Sequence, residues 1–392
     1  MGVERRNEVH LGADKFGRLR RSALPIALLG FNGADGAERD VVLLLAISAA
    51  MFALCIWIIV PPPNGIAIVA TVVAIELSPY LLLLNVALLA AVLRSSTHLK
   101  AAVLAVVILN IVLCSLPLAA TLRSGSSLEW PAATASRGMV LESAIPITLG
   151  DDRTSILAYL PAAGTKNPIV FTIYGGAWQR GSPAKDASLD RALAADGYAV
   201  FALDYRHSPM YRYPVALNDV RSEVARILND AGAYRADPAR VAILGHSSGG
   251  ELAELSAFAP HAPFRALISY SGAIDLLKGY EVLPRPDPID VRSVIAAYMG
   301  AMPAEDPQRY RSASPLYQVR RGLPPTLLIY ADRDHVVDFD FAMTFRDALR
   351  RDGNDVTFIE LPWAEHGFEE VPFGLHAPIA LRAVEEFLRR TL

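Results

Sequence analysis

RADPARVAILGHSSGG, residues 235–250, decides how the larger, C-terminal part of the chain is read. Its apolar run RVAIL (240–244) predicts a buried strand, and a helix is expected over 248–258. Between them lies Gly245-His246-Ser247-Ser248-Gly249, a G-x-S-x-G sequence in the strand–turn–helix setting that gives this motif its weight. Glycine is needed on both sides because so tight a turn leaves no room for side chains. The serine hydroxyl is then exposed at the carboxyl end of the strand, and the following helix aims its amides and positive dipole end at the same point. That pattern marks Ser247 as a nucleophile. A phosphate-binding turn is the competing reading, but no P-loop lysine follows. Ser248 is expected to contribute its backbone amide only, and His246, on the same turn, is read as structural.

Outward from this stretch, apolar runs alternate with helical periodicity from about residue 139. Strands are expected at 145–149, 154–159, 168–174, 198–203, 240–244, 266–270, 325–330 and 355–360. Several are nearly continuous apolar runs, as parallel strands covered on both faces require. Helices are expected at about 185–196, 214–231, 248–258, 338–351 and 376–390; in 214–231 the residues Val215, Val220, Val224, Ile227 and Leu228 share one face. The reading is an α/β fold with a mostly parallel eight-stranded sheet over 139–392. Residues 273–315, rich in Pro and Tyr, interrupt the alternation and read as a cap insertion.

Four further segments, in order, accompany the serine turn: YGGAW (174–178), DYRHSPMYRYPVALNDV (204–220), YADRDHVV (330–337) and EHGF (365–368). Together they make residues 140–392 resemble α/β-hydrolase esterases of the hormone-sensitive-lipase, feruloyl-esterase and kynurenine-formamidase-like groups. Tyr174 stands where those proteins usually carry histidine, Ala177 where a third glycine often sits, and Tyr330-Ala331 where His-Gly is usual. The resemblance implies that Gly176, Ala177 and Ser248 supply oxyanion amides, with Tyr174 and Gly175 supporting the loop. It also favours Asp334 over Asp332 as the acid. Chain order in this fold is serine, acid, histidine, which points to His366 as the base. Trp178, Met210, Tyr211 and Trp363 flank the catalytic loops and are candidates for a substrate pocket. The expected chemistry is ester hydrolysis through an acyl-enzyme, with no cofactor and no metal; an amidase, formamidase or peptidase, or an idle binding module, are the alternatives.

The remainder of the chain is of another character. The 392 residues are 53% hydrophobic and 20% charged, with mean hydropathy +0.30, more apolar than a soluble protein of this size. The excess is local: between Asp40 and Arg94 the only charged residue is Glu76, and between Lys100 and Arg123 there is none. From residue 124 on the chain has 27 basic and 33 acidic residues, a net charge near −6. A nucleic-acid binder with a basic face is excluded. Three apolar stretches, 41–60, 65–93 and 101–122, read as membrane helices; the twenty residues of the first span about 30 Å. The prolines at 61–63 must end the first helix. Glu76 is expected to be a tolerated polar group facing a neighbouring helix or the interface. Seven Lys and Arg in 1–40, with Arg94 and Lys100 in the second loop, place the N-terminal segment 1–40 in the cytoplasm. The 123–138 linker then leads to a hydrolase domain on the extracytoplasmic side of an inner or plasma membrane. The two cysteines, Cys55 and Cys114, both lie in apolar stretches, so the α/β part offers no thiol nucleophile.

Overall fold

The computed structural model describes residues 36–94, 99–125 and 138–392. The N-terminal segment up to residue 35, most of the 94–100 loop and most of the 123–138 linker lie outside the described residues. The apolar stretches form four helices: α1 (Gly36–Cys55, continued by a 3₁₀ turn at Ile56–Ile58), α2 (Gly65–Glu76), α3 (Ser78–Arg94) and α4 (Lys100–Arg123). The 65–93 stretch, expected as one piece, is therefore two helices, bent by 67° at Leu77. Pro79 accounts for the break. It has no amide to continue the α2 ladder, but it is accommodated in the first turn of α3. The Asn64 side chain caps the start of α2, accepting from the amides of Ile66 (3.1 Å) and Ala67 (3.0 Å). With twelve residues, α2 is only about 18 Å long. Among the described residues, α4 alone is long and apolar enough to cross a membrane by itself, and α2 with α3 make one bent pair that passes the same test.

Met51, Leu88, Val92, Val103 and Val107 pack α1, α3 and α4 together, and Cys55, Ile58, Ala74, Ile75, Leu113 and Cys114 extend that core toward α2. One end of this bundle rests on the α/β part. The Ile58 carbonyl accepts from Arg333 Nη1 (2.9 Å) and Trp363 Nε1 (3.1 Å), and the Tyr80 hydroxyl donates to the Phe373 carbonyl (2.8 Å). Glu76 is fully buried there. Its carboxylate meets His376 Nδ1 at 2.6 Å and accepts the His376 amide at 2.8 Å, while Thr121 Oγ1 lies 3.2 Å from His376 Nε2. Glu76 thus faces the α/β part, a partner its place in an apolar run gave no means of naming. Helix direction puts Arg94 and Lys100 at the far end of the bundle. Its outer faces expose large apolar side chains, Leu43, Leu83, Leu84, Ile108 and Leu122 among them.

The strands are β1 (Val140–Leu149), β2 (Asp152–Pro161), β3 (Asn167–Ile173), β4 (Ala199–Leu203), β5 (Ala236–His246), β6 (Ala266–Tyr270), β7 (Thr326–Ala331) and β8 (Val356–Leu361). They form one sheet in the order β1-β2-β4-β3-β5-β6-β7-β8. The first two strands and the β2–β4 pair are antiparallel; the other pairs are parallel. Helices α5 (Ala187–Ala195), α6 (Val215–Asn229), α7 (Ser248–Ala257), α11 (Phe339–Arg351) and α12 (Ala377–Thr391) are the connections, while α8 (Leu276–Glu281), α9 (Val291–Met299) and α10 (Pro307–Ser312) lie between β6 and β7. In β5, Val241 and Ile243 enter the core shared with α6, α7 and α11, and Ala242 and Leu244 enter the one shared with α5 and α12. Burial on both faces explains the continuous apolar run. The parallel direction of these strands puts the carboxyl ends of β3, β5, β7 and β8 at one edge, where their loops meet.

Candidate active site

β5 ends at His246, and α7 begins at Ser248, leaving Ser247 alone at the corner. Its backbone sits at φ 52°, ψ −119°, a conformation that costs a residue with a Cβ about 1–3 kcal/mol. The Ser247 amide donates to the Tyr270 carbonyl (2.8 Å), and the Ser247 carbonyl accepts from Gly250 (2.9 Å), which hold the corner in place. A Cβ on Gly245 would lie 2.1 Å from the Gly249 carbonyl oxygen, and one on Gly249 would lie 2.3 Å from that of Ile173. The two glycines are therefore required by close backbone approach, as the motif implied.

Two loops from far downstream converge on this corner. Ser247 Oγ is 2.9 Å from His366 Nε2, and His366 Nδ1 is 2.8 Å from Asp334 Oδ2. The other Asp334 oxygen accepts from the amides of Val336 (2.8 Å) and Val337 (2.7 Å), so its orientation is fixed by its own loop. Burial pulls the His366 pKa down. The charge and hydrogen bond of Asp334, with Glu369 and Glu365 behind it, outweigh this and lift it from the usual 6.5 to about 9. Asp332 takes no part. Its carboxylate accepts the Trp363 amide at 2.5 Å, and burial pushes its pKa up to about 6. His246 points away from Ser247, stacked on Tyr270 with Nδ1 3.3 Å from Glu369 Oε1. Burial lowers its pKa, and Asp186 and Glu369 raise it by more.

The loop after β3 passes over the serine. A Cβ on Gly175 would lie 2.7 Å from the His246 carbonyl oxygen, so this position has to be glycine for the loop to come so close. Ala177 and Trp178 follow, both at φ 56°. Ala177 thus adopts the left-handed conformation in spite of its side chain. Trp178 locks the loop: it is buried, donates Nε1–H to Glu251 Oε2 (3.1 Å) and stacks on Tyr298 with ring centroids 4.3 Å apart. The Tyr174 hydroxyl is bonded to Asp204 Oδ1 (2.6 Å) and lies 2.9 Å from His207 Nε2, which ties the loop to the DYRH segment. Burial, with Tyr205 and Asp204 behind it, pushes the Tyr174 phenol pKa up, so the hydroxyl keeps its proton.

The structure corrects several expectations. The Gly176 amide does not face the site freely; it donates to Ser248 Oγ (3.0 Å). The Ser248 side chain therefore has a structural role that its backbone-only reading omitted. The amides of Ala177 and Ser248 have no backbone acceptor among the described residues. Of the aromatic and sulfur candidates, Trp178 lines the cavity beside Ser247, but Met210, Tyr211 and Trp363 do not. Met210 is 80% exposed, Tyr211 lies under the Arg206 guanidinium, and Trp363 is packed against the helix bundle. Proximity in sequence to a catalytic loop does not fix the side on which a side chain emerges.

Glu365 was missed. It is buried, and one of its oxygens accepts the amides of both His335 and His366, each at 2.9 Å. Its other oxygen lies 2.6 Å from His335 Nδ1, which raises the His335 pKa. It thus joins the Asp334 and His366 loops, and its only signal in the sequence was its place in EHGF. The cavity itself holds about 400 Å³ and is bounded by the serine corner, by the cap helices α8 and α9, and by α2. Among the described residues no group of three or more His, Cys, Asp or Glu is arranged to hold a metal ion.

This sheet order and serine corner define the α/β-hydrolase fold. The BD-FAE family model matches residues 157–349, a stretch that includes Ser247 and Asp334 and stops short of His366. The chain is similar to a probable carboxylic ester hydrolase, LipM, of Mycobacterium tuberculosis, 30% identical over 236 residues, covering 56% of this chain and 54% of the relative. It is similar also to the esterase LipC of the same organism, again 30% identical, covering 57% and 58%. The chain spans about half the length of the curated relatives it matches. Among solved structures, the carboxylesterase EstE1 from a metagenomic library superposes with a TM-score of 0.56 at 22% identity, covering 71% of this chain and 95% of that one. The Pyrobaculum calidifontis esterase gives 0.56 at 20% identity, covering 65% and 86%.

Proposed function

We propose that the chain is a membrane-anchored serine carboxylesterase. The observation that carries the reading is the run of contacts from Ser247 Oγ through His366 to Asp334, at 2.9 and 2.8 Å. Ser247 attacks the ester carbonyl as its proton passes to His366 Nε2. Asp334 holds the imidazole in the tautomer with Nε2 free to accept, and stabilises the imidazolium that forms. The amides of Ala177 and Ser248 receive the developing oxyanion, at the N-terminus of α7. His366 then gives its proton to the departing alcohol. A water molecule, deprotonated by the same imidazole, cleaves the acyl-serine ester and releases the acid. The esterase names of the relatives favour an ester over an amide. The test is labelling of the full chain by a fluorophosphonate, with hydrolysis of p-nitrophenyl acetate. Both are expected in the parent and absent in Ser247→Ala. A folded parent that is not labelled points to the idle binding module.

The anchoring part of the reading rests on α4, on the apolar outer faces of the bundle, and on the position of Arg94 and Lys100 at the end remote from the α/β part. If α1, α3 and α4 cross, with α2 lying on the side of the hydrolase domain, that domain is extracytoplasmic. A C-terminal alkaline phosphatase fusion should then be active, and activity of a cytoplasmic reporter at the same place would reverse the topology.

A further inference from the structure

The cavity beside Ser247 is not enclosed by the hydrolase domain alone. One of its walls is α2, which contributes Ile68, Val69, Val72 and Val73. Across from it stand apolar residues of the cap, Leu276, Val291 and Ile295 among them, so the space between the serine and α2 is bordered by hydrocarbon on two sides. The start of α2 lies against the cap: a Cβ on Gly65 would be 3.9 Å from the Pro288 carbonyl oxygen. The end of α2 is fixed by the buried Glu76–His376 contact at 2.6 Å. The wall is therefore fixed at its C-terminal end and runs up to the cap at its start, and is part of the site's architecture. On the α2 and α8 side the lining reaches the surface through apolar residues: Val69 and Val282 line the cavity and are 60% and 48% exposed, and the neighbouring Ile66 is 86% exposed. On another side the exposed lining is charged, with Arg180, Lys185 and Glu370, so the apolar route to the serine is the one along α2.

We infer that α2 is the binding wall for a long hydrocarbon chain, and that the substrates are lipid-like esters whose chain lies along Val69, Val72 and Val73 with the ester carbonyl at Ser247. The inference rests on the hydrolase reading above and names the substrate class for it. A chain of many methylenes buried against such a wall gains about 0.8 kcal/mol for each one taken from water. A short acyl group would reach the serine without touching α2.

The experiment compares kcat/KM for p-nitrophenyl dodecanoate and p-nitrophenyl acetate in the full chain in detergent micelles. The readout is the ratio of the two, which does not depend on the fraction of enzyme that is folded. Val69→Asp puts a carboxylate in the path of the chain and should lower the dodecanoate-to-acetate ratio about tenfold or more. Val73→Asp should do the same. Val86→Ala, on the exposed side of α3, should leave both rates as in the parent. Ratios within about twofold of the parent in both aspartate variants would overturn the inference while leaving the hydrolase reading intact. A parent that hydrolyses neither ester and whose Ser247 takes no fluorophosphonate would sink both.

Discussion

The helix bundle and the α/β domain handle polar groups in opposite ways. In the domain, polar side chains converge on one corner, where Ser247, His366, Asp334, Glu365 and Ser248 hold each other in register. In the bundle, the only carboxylate of the apolar stretches is buried against the domain's His376. One region gathers polar side chains at a single corner; the other buries its carboxylate at the junction with the domain, so that the apolar helix α2 is fastened beside that corner. The difference teaches that one buried polar contact can fix where an otherwise apolar helix lies.

The comparison can be broken at its strongest point first. Ser247→Ala should abolish ester hydrolysis, by about 10⁶-fold in kcat, with thermal unfolding close to the parent's. Full activity in that variant would end the contrast, because the polar cluster would have no task. Next in size, Asp334→Asn should lower kcat about 10⁴-fold through loss of the required tautomer. It also bears on pH. The imidazole must be neutral to accept the Ser247 proton, and its pKa is raised to about 9, so parental kcat/KM should climb with pH well above 6.5. In Asp334→Asn the main upward influence is gone, and the residual rate should reach its plateau at lower pH. A stopped pH series on both proteins checks this, and an unmoved acidic limb would assign it to another group.

Smaller effects test the bundle. Glu76→Ala leaves the buried His376 Nδ1 and backbone amide without their acceptor, which should cost about 1–3 kcal/mol. It is expected to appear as an earlier thermal transition and as faster proteolysis between α4 and β1. No change in either would mean that the bundle is only loosely attached. Smallest, Ser248→Ala keeps the amide but releases Gly176, and should lower kcat by about tenfold, the scale of one hydrogen bond of 1–1.5 kcal/mol, with little change in KM.

The eight strands and five of the helices were legible because each carries its own pattern: unbroken apolar runs for strands covered on both faces, and one-sided periodicity for helices. Ser247, Asp334 and His366, which the structure brings into contact, were candidates for different reasons: the serine turn needs glycines at fixed places, chain order pointed to His366, and the family resemblance alone favoured Asp334 over Asp332. Other features had no local pattern to give them away. Glu365 braces two loops that are 30 residues apart. Met210, Tyr211 and Trp363 sit next to the right loops, but backbone direction turns them elsewhere. The bend at Leu77 did have a local mark in Pro79, but hydropathy reads the run as continuous.

By itself, then, the sequence determined the sheet and the tight glycine-flanked corner at Ser247, because steric demands at glycines and the burial of both strand faces act within a few residues. Tertiary structure alone decided that Glu76 would meet His376, 300 residues away, and that α2 would line the cavity beside Ser247. The physical reason is that a buried polar group must find a hydrogen-bond partner wherever the fold can supply one. An apolar helix carries no mark of which apolar surface it will cover.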